Sequence, residues 1–106
     1  MPKYLWEASY TEEGTKGLLK EGGSKRRTAV EAAVKALGGK LEAFYYAFGK
    51  EDVYAIVELP DAESAAGFSL VAKAAGAASV RTTVLLAPEQ IDAATKKSIA
   101  YRPPAK

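Results

Sequence analysis

Two runs rich in aromatic and β-branched residues, Lys40 to Phe48 and Val53 to Leu59, are separated by only Gly49-Lys50-Glu51-Asp52. So short a gap, built of turn-forming residues, leaves the two strands one way to pair, as an antiparallel hairpin. A parallel crossover would need a dozen or more connecting residues. The rest of the chain must supply elements that cover this hairpin.

Lys3 to Tyr10 reads as a further strand. It ends at Thr11, a good helix N-cap, followed by Glu12 and Glu13 where a helix dipole favours negative charge. Gly14, Gly17 and Gly22-Gly23 make that first helix short and weak. Ser24 is the expected cap of a stronger helix from about Lys25 to Leu37. There Val30, Ala33, Val34 and Leu37 fall on one buried stripe. Gly38-Gly39 stops it, as a left-handed C-terminal cap requires. Beyond the hairpin, Pro60-Asp61 opens a helix to about Ala75, rich in alanine, glycine and serine, with Phe68, Leu70 and Val71 as its large members. Val80 to Leu86 is a fourth strand. Pro88 opens a terminal helix reaching roughly Ala100.

The order β-α-β-β-α-β is the ferredoxin-like pattern, an α+β fold with a four-stranded antiparallel sheet of order 4-1-3-2, plus a C-terminal helix. The 106 residues are expected to form a single domain.

Two helices cover one sheet face and leave the other open. Val53, Ala55, Val57 and Leu59 are expected under the helices, with Tyr54, Ile56 and Glu58 on the opposite side. Charged side chains avoid a covered core, so Glu7, Glu58 and Arg81 are expected to share the open face on three neighbouring strands. Their companions Leu5, Tyr54, Ile56 and Leu85 make that face more apolar than a solvated one. A large exposed apolar patch marks an interaction surface. The simplest solution is a face-to-face assembly of the dimeric α/β-barrel type, with the chain as its own partner in at least a dimer. Glu7, Glu58 and Arg81 then form an ion-pair group at an interface or, with Tyr54, the lining of a ligand pocket; the remaining alternative is that the charges do not face each other.

Composition narrows the chemistry. The chain has no cysteine and no histidine, so it has no disulfide, no thiolate nucleophile and no imidazole base. Zinc, haem iron and two-histidine iron sites lose their favoured ligands, no EF-hand spacing occurs, and no metal or cofactor is expected. Fifteen basic against 13 acidic residues, a net charge of +2, do not make a nucleic-acid binder. Trp6, Tyr45, Tyr46 and Tyr54 could stack bases, but no RNA-recognition element accompanies them, and packing is the better reading. No apolar stretch approaches a membrane span and no secretory segment opens the chain; a cytoplasmic location is expected. Lys25, Arg26 and Arg27, near Gly22-Gly23-Ser24 with Lys16 and Lys20, form a candidate anion site beside a helix start, without the Walker ending. A solvated charged face is the competing account.

The order and spacing of several stretches resemble the GYD-domain family over about residues 2–89. They are Lys3-Tyr4, Tyr10-Thr11-Glu12-Glu13-Gly14, Ala36-Leu37-Gly38-Gly39-Lys40-Leu41 and Phe44-Tyr45-Tyr46-Ala47-Phe48-Gly49. Asp52-Val53, Val57-Glu58-Leu59-Pro60-Asp61 and Val80-Arg81-Thr82 complete the set. In the family a Gly-Tyr-Asp element marks the hairpin turn; here Glu51 stands where the tyrosine usually is. The resemblance implies a ferredoxin-like fold related to dimeric α/β barrels. Those include cofactor-independent monooxygenases and small-molecule-degrading enzymes, but fold does not dictate function. Three readings follow: an oligomeric, non-catalytic module for a small ligand or partner, a cofactor-free enzyme, or a purely structural self-assembling protein.

Overall fold

The computed structural model describes residues 1–105. Its elements are β1 (Lys3–Tyr10), α1 (Glu12–Glu21), α2 (Gly23–Ala36), β2 (Lys40–Tyr46), β3 (Val53–Glu58), α3 (Ala62–Ala74), β4 (Ala78–Leu85) and α4 (Pro88–Thr95). The four strands form one antiparallel sheet in the order β2-β3-β1-β4. This is the ferredoxin-like arrangement that the pattern of strands and helices implied.

The period-2 alternation sorts the two faces. Val53, Ala55, Val57 and Leu59 are buried beneath the helices with Tyr4 and Trp6, and Val34 from α2 closes the layer. Burying each valine or leucine side chain here contributes on the order of 2 kcal/mol. In β2, Leu41 and Phe44 pair with Val57 and Ala55, so they share the covered face, and a bulge at Glu42 keeps the register.

Helix ends follow local chemistry. Thr11 accepts a hydrogen bond from the Gly14 N–H at 3.1 Å, and Asp61 accepts one from the Ser64 N–H at 2.8 Å. Hydrogen bonds from the Ser64 side chain and backbone hold the Asp61 carboxyl below its ordinary value. At the end of α2, Gly38 takes φ of 82°. The Gly39 N–H then reaches the Val34 carbonyl and the Gly38 N–H the Lys35 carbonyl, each at 2.9 Å, a complete Schellman closure.

Several boundaries differ from expectation, among them the start of β4 at Ala78 rather than Val80. Ser24 does not cap α2: the helix starts at Gly23, directly after Gly22, and has no side-chain cap. The cause is Gly22, whose φ of 87° lets the chain turn from α1 straight into α2. β2 stops at Tyr46, before the turn, and α4 stops at Thr95 rather than near Ala100.

Residues 86–105 are exposed throughout, including Leu86, Ile91, Ile99 and Tyr101. The radius of gyration is 17.0 Å, whereas a compact chain of this length has roughly 13 Å. The C-terminal arm extends away from the sheet and its helices.

Candidate functional site

On the open sheet face, register places Glu7 beside Tyr54 on one flank and Arg81 on the other. The Arg81 guanidinium lies 3.6 Å from the Glu7 carboxylate and pairs more closely with Glu51. Glu51 is the one buried charged residue among those described. It also accepts a hydrogen bond from the Ser9 hydroxyl at 2.5 Å. The next residue, Asp52, accepts from the Tyr10 N–H at 2.7 Å and donates its own N–H to the Ala8 carbonyl at 2.9 Å. The hairpin turn is thus tied to the end of β1 by Glu51 and Asp52, the part of the chain where it departs from the Gly-Tyr-Asp pattern.

Glu58 stands elsewhere. It faces Lys3 across the ladder, four residues and roughly 13 Å along β3 from Tyr54. A 2.9 Å hydrogen bond to Glu42 raises the Lys3 pKa, and the Glu58 charge adds to the rise. The open face therefore carries a charge group at each end. Arg81 with Glu7 and Glu51 occupies one end, and Lys3 with Glu42 and Glu58 the other. Leu5 and Ile56 lie between them, and Tyr54 flanks Glu7. Sequence reasoning found Glu7 and Arg81 but missed Glu51 and Ser9.

The covered face holds a second feature. α2 lies over β2 and α3 over β4, so the central strands are roofed incompletely. The gap is a cavity of about 340 Å³. Its floor is Trp6, Ala8 and Tyr10 of β1 with Val53 and Ala55 of β3. Its walls are small: Ala29 and Ala33 from α2, Ala72 from α3 and Ala75 at the C-cap of α3. Alanines that close a helix surface cannot reach across to one another, and the space remains. Phe44 and Phe68 add aromatic walls, and Phe68 stacks on Trp6 with centroids 4.3 Å apart.

Trp6 is only 3% exposed, and its indole N–H has no hydrogen-bond partner. It is the one buried, unpaired side-chain polar atom among the described residues. Such an orphaned donor costs about 1–3 kcal/mol. Near the Tyr10 end of the cavity sits Arg26, half-buried and 3.8 Å from Glu21. Tyr46 donates to the Gly23 carbonyl at 3.0 Å, and burial, then the neighbouring Tyr10, pushes its phenol up to about 12. It is therefore neutral at physiological pH and unsuited to act as a base there.

The candidate anion cluster is divided between two surfaces. Arg26 lines the cavity, Arg27 pairs with Glu31 one helical turn along at 3.5 Å, and Lys25 is exposed. Among the described residues, no group of three or more histidine, cysteine, aspartate or glutamate side chains could hold a metal ion. No helix among them is long and apolar enough to cross a membrane.

No curated protein and no solved structure matches the chain. The family model of the GYD domain matches residues 4–95, across every strand and helix described above. A match over that much of its length shows that the chain belongs to the GYD domain family.

Proposed function

We propose that this GYD domain is a non-catalytic binding module for a small, mainly apolar ligand, and that it acts as a homodimer. The observation that carries the ligand reading is the apolar cavity with Trp6 on its floor. Its volume falls in the range of small-molecule sites, and its lining is apolar with few polar points, as such sites are. Tyr10 and Arg26 are the ionisable side chains along it. A phenol and a guanidinium without a carboxylate or imidazole favour binding over acid–base catalysis.

Trp6 is the sole tryptophan, so its emission reports the cavity directly. Titration with 4-acetylbiphenyl, a neutral two-ring probe, is expected to change that emission saturably, at one probe per chain. Replacing Ala33→Phe fills the space from α2. It is expected to abolish the response while keeping or raising the melting temperature, because filling a void adds contacts. An unsaturable response, or equal binding by the filled variant, would defeat the ligand reading.

The dimer reading is supported by the open face. Leu5, Ile56 and Tyr54 are only half-buried there, and Tyr45 is 72% exposed. Packing two such faces would remove this hydrocarbon from water. Sedimentation equilibrium at micromolar concentration is expected to return twice the chain mass, falling to the monomer mass on Ile56→Asp. A monomeric wild-type chain at high concentration would overturn this reading.

A further inference from the structure

We propose that β4 is a second self-association edge: two copies of the chain join antiparallel along β4, about a two-fold axis at Thr82, into one continuous sheet. This goes beyond the open-face dimer, because the pair forms at the edge of the sheet and leaves both open faces free.

The ladder sets the geometry. The Thr11 N–H donates to the Ala77 carbonyl at 3.1 Å, in register with the pairing of β1 and β4. Hydrogen-bonded and non-bonded pairs alternate along an antiparallel ladder. Ser79, Arg81, Thr83 and Leu85 therefore turn their backbone groups to β1, and Val80, Thr82 and Val84 turn theirs outward. β4 is the last strand of the sheet, so no strand receives them. The Ser69 hydroxyl donates to the Val80 carbonyl at 3.1 Å, which leaves that oxygen a second lone pair. Residues 81–84 are exposed.

An open edge is a template for another chain unless something blunts it. The opposite edge is blunted, because β2 begins at Lys40 and bulges at Glu42. β4 has eight residues, no proline and no lysine, and its register with β1 is unbroken. Its one charge, Arg81, is drawn onto Glu7 and Glu51.

The edge is complementary to itself. A two-fold axis normal to the sheet keeps the helices on one side, so each residue must meet one of the same face. Centring the pair on Arg81 would set two guanidinium groups directly opposite each other, which is unfavourable. Centring it on Thr83 would leave Val80 opposite Leu86, beyond the end of the strand. Centring it on Thr82 sets Arg81 opposite Thr83 and Val80 opposite Val84, and it uses all three outward residues. Val84, 60% exposed in the single chain, gains a β-branched neighbour.

α3 fits the same arrangement. It lies over β4, and its Phe68, Val71 and Ala72 flank lines the cavity. At about 100° per residue, the opposite flank carries Ala62, Ala66, Leu70 and Lys73, on the side of the free edge. The alanines let a second α3 come close, and Leu70, 68% exposed, is covered by it.

Ile56→Asp removes the open-face contact, so the edge can be measured alone in the full chain. Sedimentation equilibrium of that variant at millimolar concentration is expected to return twice the chain mass. Adding Thr82→Pro should return the chain mass. Proline there deletes an outward N–H and is tolerated on an edge strand, so the near-ultraviolet circular dichroism should not change. Adding Val84→Lys instead places a charge on the edge and should also return the chain mass. In Ile56→Asp, the Thr82 and Val84 amides should exchange about tenfold more slowly at millimolar than at micromolar concentration. The Arg81 and Thr83 amides, bonded to β1, should not respond.

A single-chain mass for Ile56→Asp at millimolar concentration would overturn the edge pair. So would pairing that survives either added substitution in a folded chain, or an exchange response absent at Thr82 and Val84. A wild-type dimer broken by Thr82→Pro but untouched by Ile56→Asp would instead defeat the open-face reading and support the edge pair.

Discussion

Gly39→Ala is expected to lower the folding free energy by about 3 kcal/mol, the largest loss for any single methyl added to this chain. A Cβ at position 39 would stand 2.2 Å from the Glu58 carbonyl oxygen, 2.7 Å from Leu59 Cδ2 and 3.2 Å from Val34 Cγ1. None of the three can yield cheaply. Glu58 is β3 backbone, and Leu59 and Val34 are fully buried. Gly39 also donates the hydrogen bond that closes α2 onto Val34, so backing the chain away would open that closure. Gly14→Ala is the instructive comparison. Its Cβ would stand 2.0 Å from the Ala77 carbonyl, yet α1 has no buried residue and can shift outward. Urea denaturation of both variants should show the larger drop in midpoint for Gly39→Ala, with an unchanged slope. A loss below about 1 kcal/mol at Gly39 would mean that the close approach of α2 to β3 is wrongly placed.

Arg81→Met is expected to cost about 2 kcal/mol. It removes the cation between Glu7 and Glu51 and leaves Glu51, 6% exposed, with the Ser9 hydroxyl alone. Breaking a fully buried pair costs about 3–5 kcal/mol. Here the Arg81 side chain is 55% exposed, and water reaching that side of the group reduces the loss. The decisive comparison is the double variant Arg81→Met/Glu51→Gln. Removing the stranded charge should recover at least half of the loss, because the penalty comes from an unpaired carboxylate rather than from missing attraction. Glu58→Gln is the control. At the far end of the face, beside Lys3, it should change stability by less than about 0.5 kcal/mol. If Glu58→Gln cost as much as Arg81→Met, the two charge groups would not be separate.

These two expectations depend on different kinds of legibility. The strand faces could be read from the chain, because side chains on a strand alternate with period two whatever packs on them. Val53, Ala55, Val57 and Leu59 follow that rule without exception. The hairpin was legible because four turn residues permit only one pairing. The Gly38-Gly39 stop was legible because a left-handed residue after a helix favours glycine. Glu51 was not legible. It lies in a turn, where no period ties side-chain direction to chain position, and its partners Ser9 and Arg81 are 42 and 30 residues away. Glu58 was assigned to the right face, but parity alone does not say how far along a strand two charges stand.

The sequence by itself determined the element order, the antiparallel hairpin, the sheet order and the sorting of residues between faces. These follow from short-range sterics and from the two periods of regular backbone. Only the tertiary structure decided that α2 and α3 stand apart over the outer strands, that their alanines leave a cavity above β1 and β3, and that the Trp6 indole meets no partner there. A void is set by distances between elements far apart in the chain, and those distances are fixed by the summed packing of both helices on the sheet rather than by any local pattern.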